Sequence, residues 1–239
     1  MLLAELNKQT LARAIDFSVL PKETTADEIR RGCELTRQYH FAAFYSSSPY
    51  WSPLIKEELS DFPDIEIGTG IAFPFGSCPP EIKAFEVDAA IKSDCTAVDM
   101  VMNVGALKSG DFLTVERELD LFIQSAQGAV TKYILDVCFL NETELKTAAK
   151  MAIDRGVNFV KTSTGQYAGP TLKQILLLRE MIKGTPVKLK VAGVKDPRPT
   201  NAIALLLAGV SRIGTRAGAE IVDGLEDYKR AFEQTDINM

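Results

Sequence analysis

Residues 132–161, KYILDVCFLNETELKTAAKMAIDRGVNFVK, decide the fold. The stretch opens on a short apolar run, Lys132–Asp136, which reads as a strand. An amphipathic segment follows over Glu142–Arg155, with Asn141 placed to cap it and Glu144 at the capping-box position. Gly156 falls where that helix should stop, and Asn158–Lys161 reads as a second strand. A helical crossover returns the chain to the same end of the sheet, so the two strands pair in parallel.

The same unit repeats outward in both directions. Further strands are expected at Ala14–Phe17, Phe41–Tyr45, Glu66–Ala72, Ala97–Met102, Val187–Val191 and Arg212–Thr215. Helices are expected at Thr25–Tyr39, Pro80–Ser93, Thr114–Ala126, Leu172–Ile182, Thr200–Ala208 and Gly224–Glu233, with an extra N-terminal one around Leu3–Arg13. Eight strands separated by helices predict an α/β fold, a single (β/α)8 TIM barrel, and 239 residues is the usual length of one. No linker divides the chain, so one domain over residues 1–239 is expected. A doubly wound sheet is the alternative. It would want a glycine-rich GxGxxG turn after an early strand, and none is present.

Composition narrows the function. A net charge of -5 disfavours nucleic acid and anionic membranes as partners. No run approaches the length of a membrane span, and no secretory signal is visible at the N-terminus, so a cytoplasmic protein is expected. Cys33, Cys78, Cys95 and Cys138 form no CxxC pair and do not cluster with His40, the one histidine. Reduced thiols are expected, with no metal and no cofactor. His40 stands between a helix and a strand, away from the expected active face, and reads as structural.

In such barrels chemistry sits at the C-terminal ends of the strands. Asn158–Lys161 ends in a lysine, and Val187–Val191 carries Lys190. Alternation along Ala97–Asn103 sets Asp99, Val101 and Asn103 on one face, pointing into the barrel. A charge there is costly unless it is paired or working. Lys161 and Lys190 lie on consecutive strands, so their ammonium groups can be neighbours. Desolvation and a second positive charge both favour the neutral, nucleophilic form of a lysine. The plain alternative is a pair of rim lysines, with Asp99 as an ion-pair partner to one of them.

Val98-Asp99-Met100-Val101-Met102-Asn103-Val104-Gly105-Ala106-Leu107-Lys108-Ser109-Gly110 resembles the deoxyribose-phosphate aldolase family. Phe159-Val160-Lys161-Thr162-Ser163-Thr164-Gly165 is similar to that family's Schiff-base motif, Lys190-Val191-Ala192-Gly193 to its second-lysine motif, and Arg212-Ile213-Gly214-Thr215 to its last strand. The resemblance implies a cofactor-free class I aldolase. Its reaction would be reversible cleavage of 2-deoxy-D-ribose 5-phosphate to acetaldehyde and D-glyceraldehyde 3-phosphate. By motif position Lys161 would be the nucleophile, Lys190 the residue that tunes it, and Asp99 the proton relay. Substrate contacts would fall on Ser18, Asn103, Thr164, Gly165, Gly193, Lys195, Gly214 and Arg216. A homodimer is the default state.

The chain departs from the family pattern in several places. Asp16-Phe17-Ser18 replaces Asp-His-Thr, and Tyr45-Ser46-Ser47-Ser48 replaces Cys-Val-Asn-Pro. Gly193-Val194 stands where two glycines are usual, and Lys195 replaces the family's basic residue only if one glycine is deleted. Arg216-Ala217 replaces two serines near the phosphate end. Three readings follow: this aldolase, a Schiff-base aldolase for a non-phosphorylated or carboxylate-bearing aldehyde, or an idle barrel that binds a sugar phosphate. A like-charged lysine pair counts against the third.

Overall fold

The computed structural model describes residues 3–196 and 198–233. The strands are β1 (Ile15–Val19), β2 (Ala43–Ser46), β3 (Glu66–Ile71), β4 (Ala97–Val101), β5 (Val130–Ile134), β6 (Phe159–Lys161), β7 (Lys188–Ala192) and β8 (Arg212–Thr215). All pair in parallel in chain order, and β8 pairs with β1 to close the barrel. That closure rules out the doubly wound alternative.

The helices form where the local signals place them. Thr25 accepts from the Glu28 amide while the Glu28 carboxylate accepts from the Thr25 amide, which starts the helix Ala26–Tyr39. Asn141 and Glu144 do the same for Glu142–Asp154. Gly156, with φ of 72°, and Gly184, with φ of 78°, take the left-handed turns that end two helices. The expected N-terminal helix is split into a 3-10 turn, Leu3–Glu5, and a helix, Lys8–Ala12, because Asn7 caps the second piece. Beyond β2, Ser48 caps a 3-10 turn, Pro49–Trp51, and a helix follows over Ser52–Glu58. Short helices at Val104–Lys108 and Gly218–Asp223 also escape the periodicity, being a turn or two long.

The apolar core fills the layer between the strands and the helices. Val98, Met100, Val160, Leu189, Val191 and Ile213 from the strands meet Ile29, Val87, Leu119, Ala148, Leu178 and Ile203 from the helices, all buried. A polar cluster interrupts this layer behind β4. Lys83, from the helix Pro80–Lys92, reaches Glu118 of the helix Phe112–Ser125, and both side chains are fully buried. Lys83 also donates to the Val101 carbonyl at 2.8 Å. Glu118 accepts from the Asn103 amide at 3.0 Å and from the Tyr133 hydroxyl. The cluster therefore ties the C-terminal end of β4 to two helices and to β5.

Removing one member of a buried pair leaves the other charge without compensation, which costs about 3–5 kcal/mol. Lys83→Met should lower the unfolding free energy by that order in urea denaturation. An unchanged urea midpoint would show that the pair holds nothing together.

Candidate active site

Three strands bring the principal side chains together. Lys161 of β6 and Lys190 of β7 are direct register partners, so the two lysines project side by side into the barrel. Asp99 of β4 faces them. Lys161 Nζ lies 2.7 Å from Asp99 Oδ2 and Lys190 Nζ lies 2.8 Å from the same oxygen. All three are nearly dry, with relative exposures of 6% for Lys161, 2% for Lys190 and 1% for Asp99. One face of Gly214 makes this possible, because a Cβ there would press to 3.1 Å from Lys190 Cε. These residues belong to the inside of the barrel and not to its rim.

Beneath this trio lies a set of charges that the sequence reading passed over. Asp16 of β1 contacts Lys190 at 2.7 Å, Lys132 of β5 at 3.1 Å and Arg212 of β8 at 3.3 Å. Glu66 of β3 contacts Lys132 at 2.8 Å and Arg212 at 3.5 Å. Lys132 donates to the Tyr45 hydroxyl at 2.6 Å. The signal that singled out Asp99, a charge inside an apolar strand, also marks Asp16 within Ile15-Asp16-Phe17 and Lys132 within Thr131-Lys132-Tyr133.

Charge counting identifies the lysine that gives way. With every group ionised, three carboxylates (Asp16, Glu66, Asp99) face four cations (Lys132, Lys161, Lys190, Arg212). Within this ion-pair network the cations outnumber the carboxylates by one, and burial makes imbalance expensive, so the network favours loss of a proton. Lys132, Lys190 and Arg212 each touch two carboxylates, whereas Lys161 touches Asp99 alone. Burial first, and then the Lys190 charge, outweigh the pull of Asp99 and bring the Lys161 amine down to about 8. Burial works against ionised Asp99 too, but Lys161, Lys190 and Lys132 hold its carboxyl well below the usual range. Asp16 follows the same logic and falls to about 2, while Asp16, Asp99 and Glu66 raise Lys132 against its burial.

The turns above the strands are tightly tied. Asp136, in the left-handed region with φ of 46°, accepts from the Thr164 amide at 2.7 Å and its hydroxyl at 3.0 Å. Thr164 is buried, and its hydroxyl is engaged there. Ser163 Oγ is buried and makes no hydrogen bond with any described residue. Gly193, with φ of +83°, backs onto Gly169, whose added Cβ would lie 2.8 Å from the Gly193 carbonyl. Gly165 also has φ of +83° and is exposed. Val194 packs against the core. Among the described residues, neither Lys195 nor Arg216 has an ion-pair partner, and both are exposed in the loops after β7 and β8.

One expected position differs. Strand β4 ends at Val101, so the alternation does not carry Asn103 inward; its side chain caps Val104–Lys108 by accepting from the Ala106 amide at 3.0 Å. Ser18 is half-buried on β1, in register with Tyr45. His40 caps the end of Ala26–Tyr39 and lies 2.8 Å from Asp64, far in sequence from the lysines. The four cysteines are free thiols. Among the described residues, no helix is long and apolar enough to cross a membrane, and no three His, Cys, Asp or Glu are placed to hold a metal ion.

Chemically, a dry amine near neutrality, an adjacent fixed cation and a carboxylate between them can form and hydrolyse an imine. The family described as DeoC/LacD family aldolase matches residues 66–198. A protein of Halalkalibacterium halodurans named deoxyribose-phosphate aldolase is 40% identical over 90% of this chain and 96% of its own. The solved structure of an aldolase named QR15 superposes with a TM-score of 0.83 at 30% identity, covering 94% of this chain and 98% of that one. The deoxyribose phosphate aldolase of Aeropyrum pernix, described as a tetramer, superposes with a TM-score of 0.84 at 23% identity over 95% of each chain, which speaks to the fold.

With an amine at about 8, roughly a tenth of Lys161 is neutral at pH 7, and nearly all of it at pH 9. Labelling of Lys161 by a small aldehyde and borohydride should therefore rise about tenfold between those pH values. A lysine at its ordinary value would still be climbing steeply above pH 9.

Proposed function

The chain belongs to the DeoC/LacD family of aldolases, and from that membership and its buried lysine pair we propose a class I aldolase that works through a Schiff base on Lys161. Its substrate is 2-deoxy-D-ribose 5-phosphate, cleaved reversibly to acetaldehyde and D-glyceraldehyde 3-phosphate, as the names of its relatives suggest. The observation that carries the reading is the single Asp99 oxygen shared by two ammonium groups in a dry barrel.

The steps follow from that geometry. The neutral Lys161 amine adds to the C1 aldehyde of the open-chain sugar and forms a carbinolamine. Loss of water gives an iminium, which withdraws electrons from C2. The C3 hydroxyl gives up its proton, the C2–C3 bond breaks, and its electron pair passes into an enamine. D-Glyceraldehyde 3-phosphate leaves. Protonation at C2 and hydrolysis then release acetaldehyde and restore the amine. Asp99 is within reach of both amines and is the group we assign to carry protons, through a water where direct contact is lacking. Lys190 keeps a positive charge beside Lys161, so that the neutral amine is favoured.

Lys195 and Arg216, both exposed and without carboxylate partners among the described residues, are assigned to the phosphate, with Gly165 and Gly193 allowing backbone to approach it. Ser18 and Gly214 line the wall below, and Thr164 holds the turn that carries Lys161. Asn103, through its cap, and Thr164, through Asp136, act on substrate by fixing the turns at the barrel mouth. A homodimer remains our reading of the assembly.

Acetaldehyde with borohydride should give a stable adduct that maps to Lys161 by mass spectrometry and is lost in Lys161→Leu. No adduct would sink the Schiff-base reading. Arg216→Ala should raise KM for deoxyribose 5-phosphate at least tenfold, about the loss of one charge-assisted pair, and leave cleavage of free deoxyribose nearly unchanged. Equal effects on both sugars would remove Arg216 from the phosphate site.

A further inference from the structure

One aromatic side chain sits among the buried charges. Tyr45 of β2 is in register with Gly68 of β3, and its ring occupies the space a side chain at 68 would need: a Cβ there would lie 2.3 Å from the ring. The ring takes Lys190 Nζ at 3.9 Å from its centroid. The hydroxyl accepts from Lys132 at 2.6 Å and still carries a proton of its own. Burial and then the charges of Asp99, Asp16 and Glu66 keep that proton in place. Asp99 Oδ2 receives both lysines, while Asp99 Oδ1 is buried and receives neither, and a hydrogen bond to the Asp99 side chain is among the causes that hold the Tyr45 proton.

We propose that Tyr45 is a positioning residue of the Schiff-base site: its ring excludes water and seats the Lys190 ammonium beside Lys161, and its hydroxyl offers its proton to Asp99 Oδ1. This rests on Lys161 being the reacting amine. The groups that set the Lys161 charge are Asp99 on β4, Lys190 on β7, Asp16 on β1, Lys132 on β5 and Asp136 beyond it, with Glu66 on β3 and Arg212 on β8 in the layer below. Tyr45 acts on two of them with one sign. Without the ring, water reaches the Lys161 and Lys190 heads and solvates the ammonium form. Without the hydroxyl, the Asp99 charge is less dispersed and grips the Lys161 proton more firmly. Either loss raises the pH at which Lys161 becomes a nucleophile.

The test is the rate of acetaldehyde trapping on Lys161 by cyanoborohydride, followed across pH in the wild type, Tyr45→Leu and Tyr45→Phe. The wild-type midpoint should lie near 8. In Tyr45→Leu it should rise by about one pH unit, so that trapping at pH 7 slows about tenfold while the high-pH plateau is retained. Tyr45→Phe should shift the same way by less. It keeps the ring against Gly68, so it decides the matter if the leucine variant misfolds. A purely structural Tyr45 would lower the rate at every pH without moving the midpoint, and that result overturns the proposal. A trapped wild type whose midpoint both variants share defeats the Tyr45 role alone. No wild-type adduct on Lys161 defeats this proposal together with the Schiff-base reading.

Discussion

Two ammonium groups meet one carboxylate oxygen, Asp99 Oδ2, in a space with almost no water. Each buried ion costs several kcal/mol to dehydrate, so the arrangement persists only where the signs nearly cancel. Asp16 lends Lys190 a second carboxylate from below, and Glu66, Lys132 and Arg212 pair off around it. A closed barrel is what lets residues from seven different strands reach one another across its interior. An open sheet would spread the same side chains over one face and expose them to water. The register of β6 against β7 then decides that Lys161 and Lys190 stand level, and Gly214 leaves room for the second to bend toward Asp99.

The second buried ionic cluster shows what the first lacks. Behind β4, Lys83 meets Glu118, and the Val101 carbonyl, the Asn103 amide and the Tyr133 hydroxyl complete the set. One cation faces one anion, so nothing is left over. Inside the barrel one cation is left over, and the lysine with the fewest carboxylates is Lys161. Burial alone therefore does not make a reactive amine. At Lys161 burial is joined by the charge of Lys190 beside it, and only one carboxylate is in contact to oppose them. The closed cluster also serves the open one, since it fixes the strand end two residues beyond Asp99.

Most of the fold was legible because a βα unit repeats its signals eight times. Capping pairs such as Thr25 with Glu28 are local, so they hold whatever the rest of the chain does. What escaped was short: Ser52–Glu58 is too brief for its apolar stripe to show a period. Within the site, Asp99 stood out by alternation, Lys161 and Lys190 by their places on consecutive strands, and all three by motif. Glu66 and Lys132 carried no motif, and Asp16, Arg212 and Tyr45 were legible only as positions in a family pattern, because the role of a strand residue depends on a partner that the sequence does not show. Partners here lie far apart in the chain, Lys190 and Asp99 by 91 residues and Arg212 and Asp16 by more than twice that, and only the barrel brings them together. Asn103 was misplaced for a different reason: alternation was extended past the last strand residue, where the backbone had already turned to start a helix.

The departures from the family pattern sort by depth in the same barrel. Lys195 and Arg216 are exposed on loops, where water screens them and a change of residue costs little stability. They can vary with the far end of a substrate and leave the amine untouched. Tyr45 is different in kind, because it sits among the charges themselves and is accommodated by Gly68 on the next strand. A large ring cannot enter a packed interior unless its neighbour gives up a side chain, so Tyr45 requires glycine at 68. That coupling places Tyr45 within the electrostatics that govern Lys161, whereas the loop cations stand outside that buried charge set.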